Sequence, residues 1–220
     1  GLDWRRKPQR VLDVINEVGA DIVALQEVDR RFGSRLTALD PELIARATDY
    51  QAIRFAERPQ SLGFHGNVIL VRRGMQLVGA RPMILPHLEP RGAAVADLDH
   101  GGRRLRVVGM HLGLTRKWRQ LQTETIVSEL RTLEANLPTV LMGDLNEWAL
   151  RGGCLREFGE GWQVLAPGRS FPARRPVAQL DRIVASAEWR LLDAGVHHSA
   201  LAARGSDHLP VVARLHLPKI

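Results

Sequence analysis

The sequence predicts an α/β protein in which mixed β-sheets are covered by helices. Two observations favour this class. Segments with apolar residues at helical spacing alternate with some of the apolar runs, and short glycine-containing turns join other runs into hairpins. With 220 residues, of which 45% are hydrophobic, the chain can bury a full-sized core, so we expect one domain over residues 1–220.

The first elements are expected to be a helix, a buried strand and a second helix. The first helix is predicted from apolar residues at helical spacing, which are Val11, Leu12, Ile15 and Val18. Gly19 ends that pattern, and the apolar run at 22–28 is typical of a strand buried on both faces. Asp40 then precedes Pro41 as the cap and first residue of a short helix.

The rest of the chain is predicted to consist mainly of strands. Five follow the second helix, over residues 51–56, 67–72, 76–85, 93–97 and 105–111. Gly101 and Gly102 make a hairpin turn between the last two of these strands. A long helix is expected from Thr115 to the residues before Pro138, followed by a buried strand at 139–143. Three more strands are expected near 180–185, 189–196 and 211–217.

Composition excludes several classes of protein. No apolar run approaches the roughly 20 residues of a transmembrane helix, and the first ten residues contain no apolar segment typical of a signal peptide. A single cysteine, Cys154, excludes an internal disulfide framework and a thiolate zinc cluster. From these features we expect a cytoplasmic protein, and we expect it to be a monomer.

The net charge of +7 is carried almost entirely by arginine, since only three of the 31 basic residues are lysines. Arginine prefers bidentate contact with phosphate and carboxylate groups, which fits an anionic substrate. The arginines are spread along the whole chain, however, and a compositional bias accounts for them equally well. The charge alone therefore does not identify a partner.

Polar residues interrupt the apolar runs at five places, and each place has two interpretations. Glu27 either binds a cation or marks a strand reaching the surface. His111 is either a packed histidine or a catalytic one. Asp144 and Asn146 lie two apart, which places them on one side of an extended backbone, where they suit a hard cation or simply form a turn.

The last two places carry a similar ambiguity. Asp181 lies in an apolar run and needs a partner, either a histidine or the adjacent Arg182. Asp207 and His208 are either a surface turn or a carboxylate next to a proton-handling imidazole. Each signal is weak by itself. Together they place Glu, His, Asp-x-Asn, Asp and Asp-His at strand ends in one chain order. This order favours a shared functional explanation over a single structural one.

This ordered set resembles the endonuclease/exonuclease/phosphatase (DNase I-like) superfamily, in a short bacterial-type form. The matching segments are LQEVD (25–29), GNVIL (66–70), MHLG (110–113), GDLN (143–146), LDRI (180–183) and SDHLPV (206–211). The resemblance implies a four-layer α/β sandwich, with two mixed sheets packed face to face and flanked by helices. Members usually begin with a core strand that ends in an asparagine, and this strand is expected to be missing here.

The resemblance also implies roles for individual residues. Glu27 would be the principal metal ligand and Asp207 a second acidic group near the metal. Asp144 and Asn146 would position the attacking water, which Asp144 would deprotonate. His208 would contact the scissile phosphate.

Five further residues complete the expected site. Asp181 would orient the ring of His208, and His111 would stabilise the phosphate or the leaving group from the other side. Asn67 would line the cleft. Arg116 and Arg119, at the start of the long helix, are expected to contact phosphate, although a solvated helix face is the alternative.

The implied activity is that of a Mg²⁺- or Mn²⁺-dependent hydrolase of phosphate esters. We expect a phosphodiesterase acting on nucleic acid or on phospholipid headgroups. Two alternatives remain open. One is a phosphomonoesterase such as an inositol-phosphate-type phosphatase, and the other is a non-catalytic binding module on the same fold.

Overall fold

The structure is a computed structural model that describes residues 8–28, 39–55, 62–133 and 136–218. The helices are α1 (Pro8–Val18), α2 (Pro41–Ala47), α3 (Arg116–Thr132) and α4 (Ala202–Gly205), with a 3-10 helix at Gly153–Phe158. The first six strands are β1 (Ile22–Leu25), β2 (Tyr50–Ala52), β3 (Val68–Arg72), β4 (Gln76–Ile84), β5 (Gly92–His100) and β6 (Arg103–His111). The remaining strands are β7 (Thr139–Asp144), β8 (Trp162–Leu165), β9 (Asp181–Ser186), β10 (Arg190–Val196) and β11 (Val211–His216).

The largest sheet has six strands in the order β4-β5-β6-β7-β9-β8. Its hairpins are antiparallel, but β6 and β7 are parallel because α3 returns the chain between them. Both strands are almost entirely buried, as expected for strands covered on two faces. The sheet is therefore mixed, and its parallel pair ends at His111 and Asp144.

The second layer of strands is divided in the described part of the chain. A three-stranded sheet has the order β1-β3-β2, and a two-stranded sheet pairs β10 with β11. The three-stranded sheet packs on the six-stranded one through Ile69 and Val71, which join Ala94, Ala96 and Val107 in one core cluster. β11 packs against β9.

Helices cover both outer faces and complete four layers. Ile126, Val127 and Leu130 of α3 pack on the outer face of the six-stranded sheet. Leu12 of α1 and Ile44 of α2 pack on the outer face of the three-stranded sheet. The order helix, sheet, sheet, helix is the layering expected from the sequence.

The elements differ from their sequence-based predictions at a few boundaries. β1 ends at Leu25 rather than at residue 28, because Glu27 has a positive φ of 57° that an extended strand does not allow. The short strand β8 and helix α4 were not predicted. The prediction of a missing first strand concerns the chain before α1, and residues 1–7 lie outside the described residues, as does Asp29. None of the helices in the described ranges is both long and apolar enough to cross a bilayer.

The cap of α2 provides a first prediction. The Asp40 side chain accepts a hydrogen bond from the backbone N–H of Glu42 at 2.9 Å. Asp40→Ala leaves that helix-terminal donor without its partner, so the free energy of unfolding should fall by about 1 kcal/mol. Urea unfolding measures the change, with Asp193→Ala, at an exposed position of β10, as the control. An equal loss in both variants would contradict the capping role.

Candidate active site

Three polar residues lie side by side at one end of the six-stranded sheet. His111 at the end of β6 is the register partner of Asp144 at the end of β7, and Asp144 is the register partner of Asp181 at the start of β9. Register partners project from the same face of a sheet. Here that face is the one that carries Val107 and Met142 against the three-stranded sheet. All three residues are buried, so each side chain requires a polar partner.

Asp144 lies between two imidazoles. Its Oδ2 is 3.5 Å from Nε2 of His111 and 3.9 Å from Nε2 of His208, and its Oδ1 accepts a hydrogen bond from the backbone N–H of Asn146 at 2.8 Å. Asn146 has a positive φ of 51°, and its Nδ2 donates to the carbonyl of Leu112 at 2.9 Å. Asn146 therefore joins the loop after β7 to the loop after β6, and this contact fixes the position of both strand ends.

His208 is held by Asp181. Its Nδ1 donates to Oδ2 of Asp181 at 2.8 Å, the Ser170 hydroxyl donates to the same oxygen, and the ring of Phe171 lies 4.8 Å from the imidazole, centre to centre. With Nδ1 bonded to Asp181, Nε2 faces Asp144. The arrangement is a carboxylate that fixes the ring and favours the imidazolium.

The pKa values of Asp144 and His208 are both raised above their usual range. Burial and the nearby charge of Asp181 raise the pKa of Asp144 to about 6, although His208, the Asn146 N–H and Arg91 oppose the rise. Burial lowers the pKa of His208, but the hydrogen bond and charge of Asp181, with the charges of Asp144 and Asp207, outweigh it and raise that pKa to about 9. At neutral pH the site therefore holds a carboxylate facing an imidazolium.

Glu27 and Asn67 lie in the loops that follow β1 and precede β3 of the three-stranded sheet. Gly66 packs so closely on Glu27 that a Cβ there would lie 3.3 Å from the Glu27 backbone, and the Val28 N–H donates to the Gly66 carbonyl. Asn67 is fully buried and its Nδ2 donates to the carbonyl of Gly92 at 2.9 Å. Gly92 is the register partner of His111, so Asn67 connects this loop to the row of site residues.

The sequence of the chain matches the model of the Endonuclease/Exonuclease/phosphatase family over residues 1–208. The chain belongs to this family. It is 28% identical to the uncharacterized protein YbhP of Escherichia coli strain K12 over 227 aligned residues, which cover 93% of this chain and 87% of YbhP.

Solved structures of other proteins share the fold. D. rerio TDP2 complexed with a single-strand DNA product aligns with a TM-score of 0.74 and 16% identity, covering 98% of this chain and 94% of that one. The mannosyl-6-phosphatase Bt3783 of Bacteroides thetaiotaomicron VPI-5482 aligns with a TM-score of 0.74 and 15% identity, covering 95% and 90%. These likenesses confirm the predicted DNase I-like α/β fold.

The endonuclease/exonuclease/phosphatase family is generally metal-dependent, and the residues present suit a hard cation. Glu27 and Asp207 both have exposed side chains that offer carboxylate oxygens. Asn67 Oδ1 is buried and accepts no hydrogen bond among the described residues. No group of three or more His, Cys, Asp or Glu side chains in the described ranges could hold a metal by itself. This donor set fits an ion that keeps most of its waters.

The two arginines predicted to contact phosphate lie in different environments. Arg116 is exposed at the start of α3. Arg119 is 6% exposed, its NH1 donates to the Leu114 carbonyl at 2.6 Å, and its Nε lies 3.4 Å from Oε2 of Glu147. Contact between Arg119 and phosphate therefore stays a prediction. Its guanidinium is engaged in joining the loops that follow β6 and β7.

Glu147 was not singled out in the sequence, although it organises the loop after Asn146. It is 4% exposed and accepts hydrogen bonds from the backbone N–H groups of Ala149 and Cys154. Burial opposes its ionisation, but these hydrogen bonds and the charge of Arg119 together lower the pKa of Glu147. A buried, fixed carboxylate next to Asn146 keeps this loop in one conformation.

Exposed apolar side chains lie on the same two loops. Trp148 is 65% exposed two residues after Asn146, and Leu114 is 64% exposed three residues after His111. The loops are joined through Arg119, which binds the Leu114 carbonyl and Glu147. These loops therefore carry large apolar surfaces within three residues of the site.

Proposed function

We propose that this chain is a divalent-metal-dependent phosphoester hydrolase of the phosphodiesterase type. The observation that carries the proposal is the position of Asp144, whose Oδ2 lies between the Nε2 atoms of His111 and His208 while Asp181 holds His208 from behind. Membership of the endonuclease/exonuclease/phosphatase family supports phosphoesterase activity in general. The arrangement supplies what phosphoester hydrolysis needs, which is a base for water and a cation for the phosphoryl oxygens.

Each residue has a role that its environment supports. Asp144, with a pKa of about 6, is ionised at neutral pH and deprotonates the attacking water, which Asn146 helps to position. His208, with a pKa of about 9, remains an imidazolium and contacts the scissile phosphate. Asp181 orients His208 through Nδ1, and His111 contacts the phosphate or leaving group from the other side.

Mg²⁺ or Mn²⁺ is the ion that these donors suit, and Glu27 with Asp207 would hold it. When bound, the ion would supply positive charge to the phosphoryl oxygens. Asn67 has a buried Oδ1 without a hydrogen-bond donor among the described residues, and we propose that it lines the same cleft. Arg116 is exposed at the start of α3, and we propose that it contacts a phosphate of the substrate.

The natural substrate is proposed to be a diester of nucleic acid or of a phospholipid headgroup. The TDP2 structure with a DNA product supports the first of these, because it shares the fold. A phosphomonoesterase is the second candidate function, since the neighbour Bt3783 is described as a mannosyl-6-phosphatase. A binding module without turnover is the third.

Hydrolysis of bis-p-nitrophenyl phosphate tests the proposal. Turnover is expected with Mg²⁺ or Mn²⁺, none with EDTA, and none in His208→Ala, whereas His100→Ala at an exposed hairpin position should be unaffected. Faster hydrolysis of p-nitrophenyl phosphate than of the diester would favour a monoesterase. Turnover that persists in EDTA or in His208→Ala would contradict the proposed centre, and a folded protein without any turnover would favour the binding module.

Trp148 provides a prediction about substrate size. Because its indole is 65% exposed, Trp148→Ala should change the free energy of unfolding by less than about 0.5 kcal/mol. For an extended diester such as an oligonucleotide, loss of a stacking surface should raise KM about tenfold. KM for bis-p-nitrophenyl phosphate should not change. Leu192→Ala, which removes an exposed apolar side chain of β10, is the matched control. Equal KM values for the oligonucleotide in the wild-type protein, Trp148→Ala and Leu192→Ala would contradict a stacking role for Trp148.

A further inference from the structure

An arginine that none of the sequence motifs contains lies against His111. Arg91 immediately precedes β5, and its NH1 is 2.8 Å from Nδ1 of His111. The Arg91 side chain is 13% exposed. The contact is therefore a short hydrogen bond in a largely water-excluded part of the site, where a wrong protonation state of either partner would be costly.

The chemistry of the two groups determines the direction of this hydrogen bond. A guanidinium carries only donors, so Nδ1 of His111 must be the acceptor. An imidazole that accepts at Nδ1 is neutral and carries its proton on Nε2, since the imidazolium has donors at both nitrogens. Nε2 lies 3.5 Å from Oδ2 of Asp144, so its proton faces that carboxylate.

The neighbouring loops hold Arg91 in this position. Oε1 of Glu89 lies 3.8 Å from Nε of Arg91, and the same oxygen accepts a hydrogen bond from the Leu114 N–H at 2.8 Å. The Leu114 carbonyl in turn accepts from Arg119, which is tied to Glu147. Arg91 is thereby connected to both loops that border the site.

We propose that Arg91 is a positioning residue that fixes His111 as a neutral, Nε2-protonated hydrogen-bond donor. The inference deepens the proposed function, on which its catalytic part rests. His111 then donates a hydrogen bond to the water or phosphoryl oxygen next to Asp144 and does not act as a base. The two histidines on either side of Asp144 have different roles because one faces a guanidinium and the other a carboxylate.

The tautomer of His111 can be measured on the full chain without substrate. Long-range ¹H–¹⁵N correlation spectra at pH 7 distinguish the two neutral tautomers from the imidazolium, and His111→Gln identifies the signals of this ring. The expected pattern is an unprotonated Nδ1 and a protonated Nε2. An imidazolium, or a proton on Nδ1, would overturn the proposal whether or not the protein hydrolyses phosphate esters.

Variants of Arg91 test its part in this arrangement. Arg91→Met should convert the His111 signals to a mixture of protonation states and lower kcat for bis-p-nitrophenyl phosphate by about 10- to 100-fold. Arg91→Lys, which keeps a hydrogen-bond donor, should restore part of the wild-type His111 signals and part of kcat. Arg104→Met, at an exposed position of β6, is the control. An unchanged His111 tautomer in folded Arg91→Met would overturn the proposal. If Arg91→Met fails to fold, the wild-type spectrum still decides.

Discussion

Asp144→Asn is expected to lower kcat for bis-p-nitrophenyl phosphate by about 1000-fold, because the amide cannot take a proton from the attacking water. The substitution keeps the shape of the side chain, and Oδ1 of the new residue can still accept the hydrogen bond from the Asn146 N–H. It also removes a carboxylate that burial makes costly to ionise, so the fold should be retained. The loss should therefore appear in kcat and not in the amount of folded protein.

The measurement is steady-state hydrolysis with saturating Mg²⁺ or Mn²⁺, together with urea unfolding of the same samples. Asp193→Asn makes the same chemical change at an exposed position of β10 and should have no effect. The wild-type rate should rise with pH through about 6, since the base must be ionised. A folded Asp144→Asn protein with more than about one-tenth of the wild-type kcat would exclude Asp144 as the base.

The sequence predicts the layered fold well because its elements are defined by local patterns. The hairpin between β5 and β6 follows from Gly101 and Gly102, and β7 follows from an apolar run after Pro138. The end of β1 was placed three residues too late because the positive φ of Glu27 depends on the close approach of Gly66. β8 was not predicted, because its four half-buried residues are too few to show a strand pattern in the sequence.

The site is predicted less completely, for a different physical reason. His111, Asp144, Asp181 and His208 are brought together by the structure, and their roles remain predictions. Arg91 could not be recognised among so many arginines, because its contact with His111 depends on the register of β5 and β6. The position of Arg119 could have been anticipated, since it shares one buried helix face with the residues Gln122, Thr123, Ile126, Val127 and Leu130.

Asp181→Asn is the second substitution with a large expected effect. Asp181 raises the pKa of His208 through a hydrogen bond and its charge, and it raises the pKa of Asp144 through its charge. The amide that replaces the Asp181 carboxylate is neutral and can either accept a hydrogen bond from Nδ1 of His208 or donate one to it. The protonation state and orientation of the His208 ring are therefore no longer fixed. We expect kcat at pH 8 to fall by about 100- to 10,000-fold, because the variant has lost the imidazolium.

The pH profile separates this role from a purely structural one. In the wild-type protein the rate should fall as pH rises through about 9, where His208 loses its proton. Without Asp181 both pKa values decrease, so the acid limb moves below about 6 and the alkaline limb below about 9. Ser170→Ala removes one hydrogen bond to the ionised carboxylate and should shift the alkaline limb less. A merely structural role for Asp181 would lower the whole profile and leave both limbs in place. Movement of the two limbs in the same direction therefore requires the charge of Asp181 to act on Asp144 and His208 together.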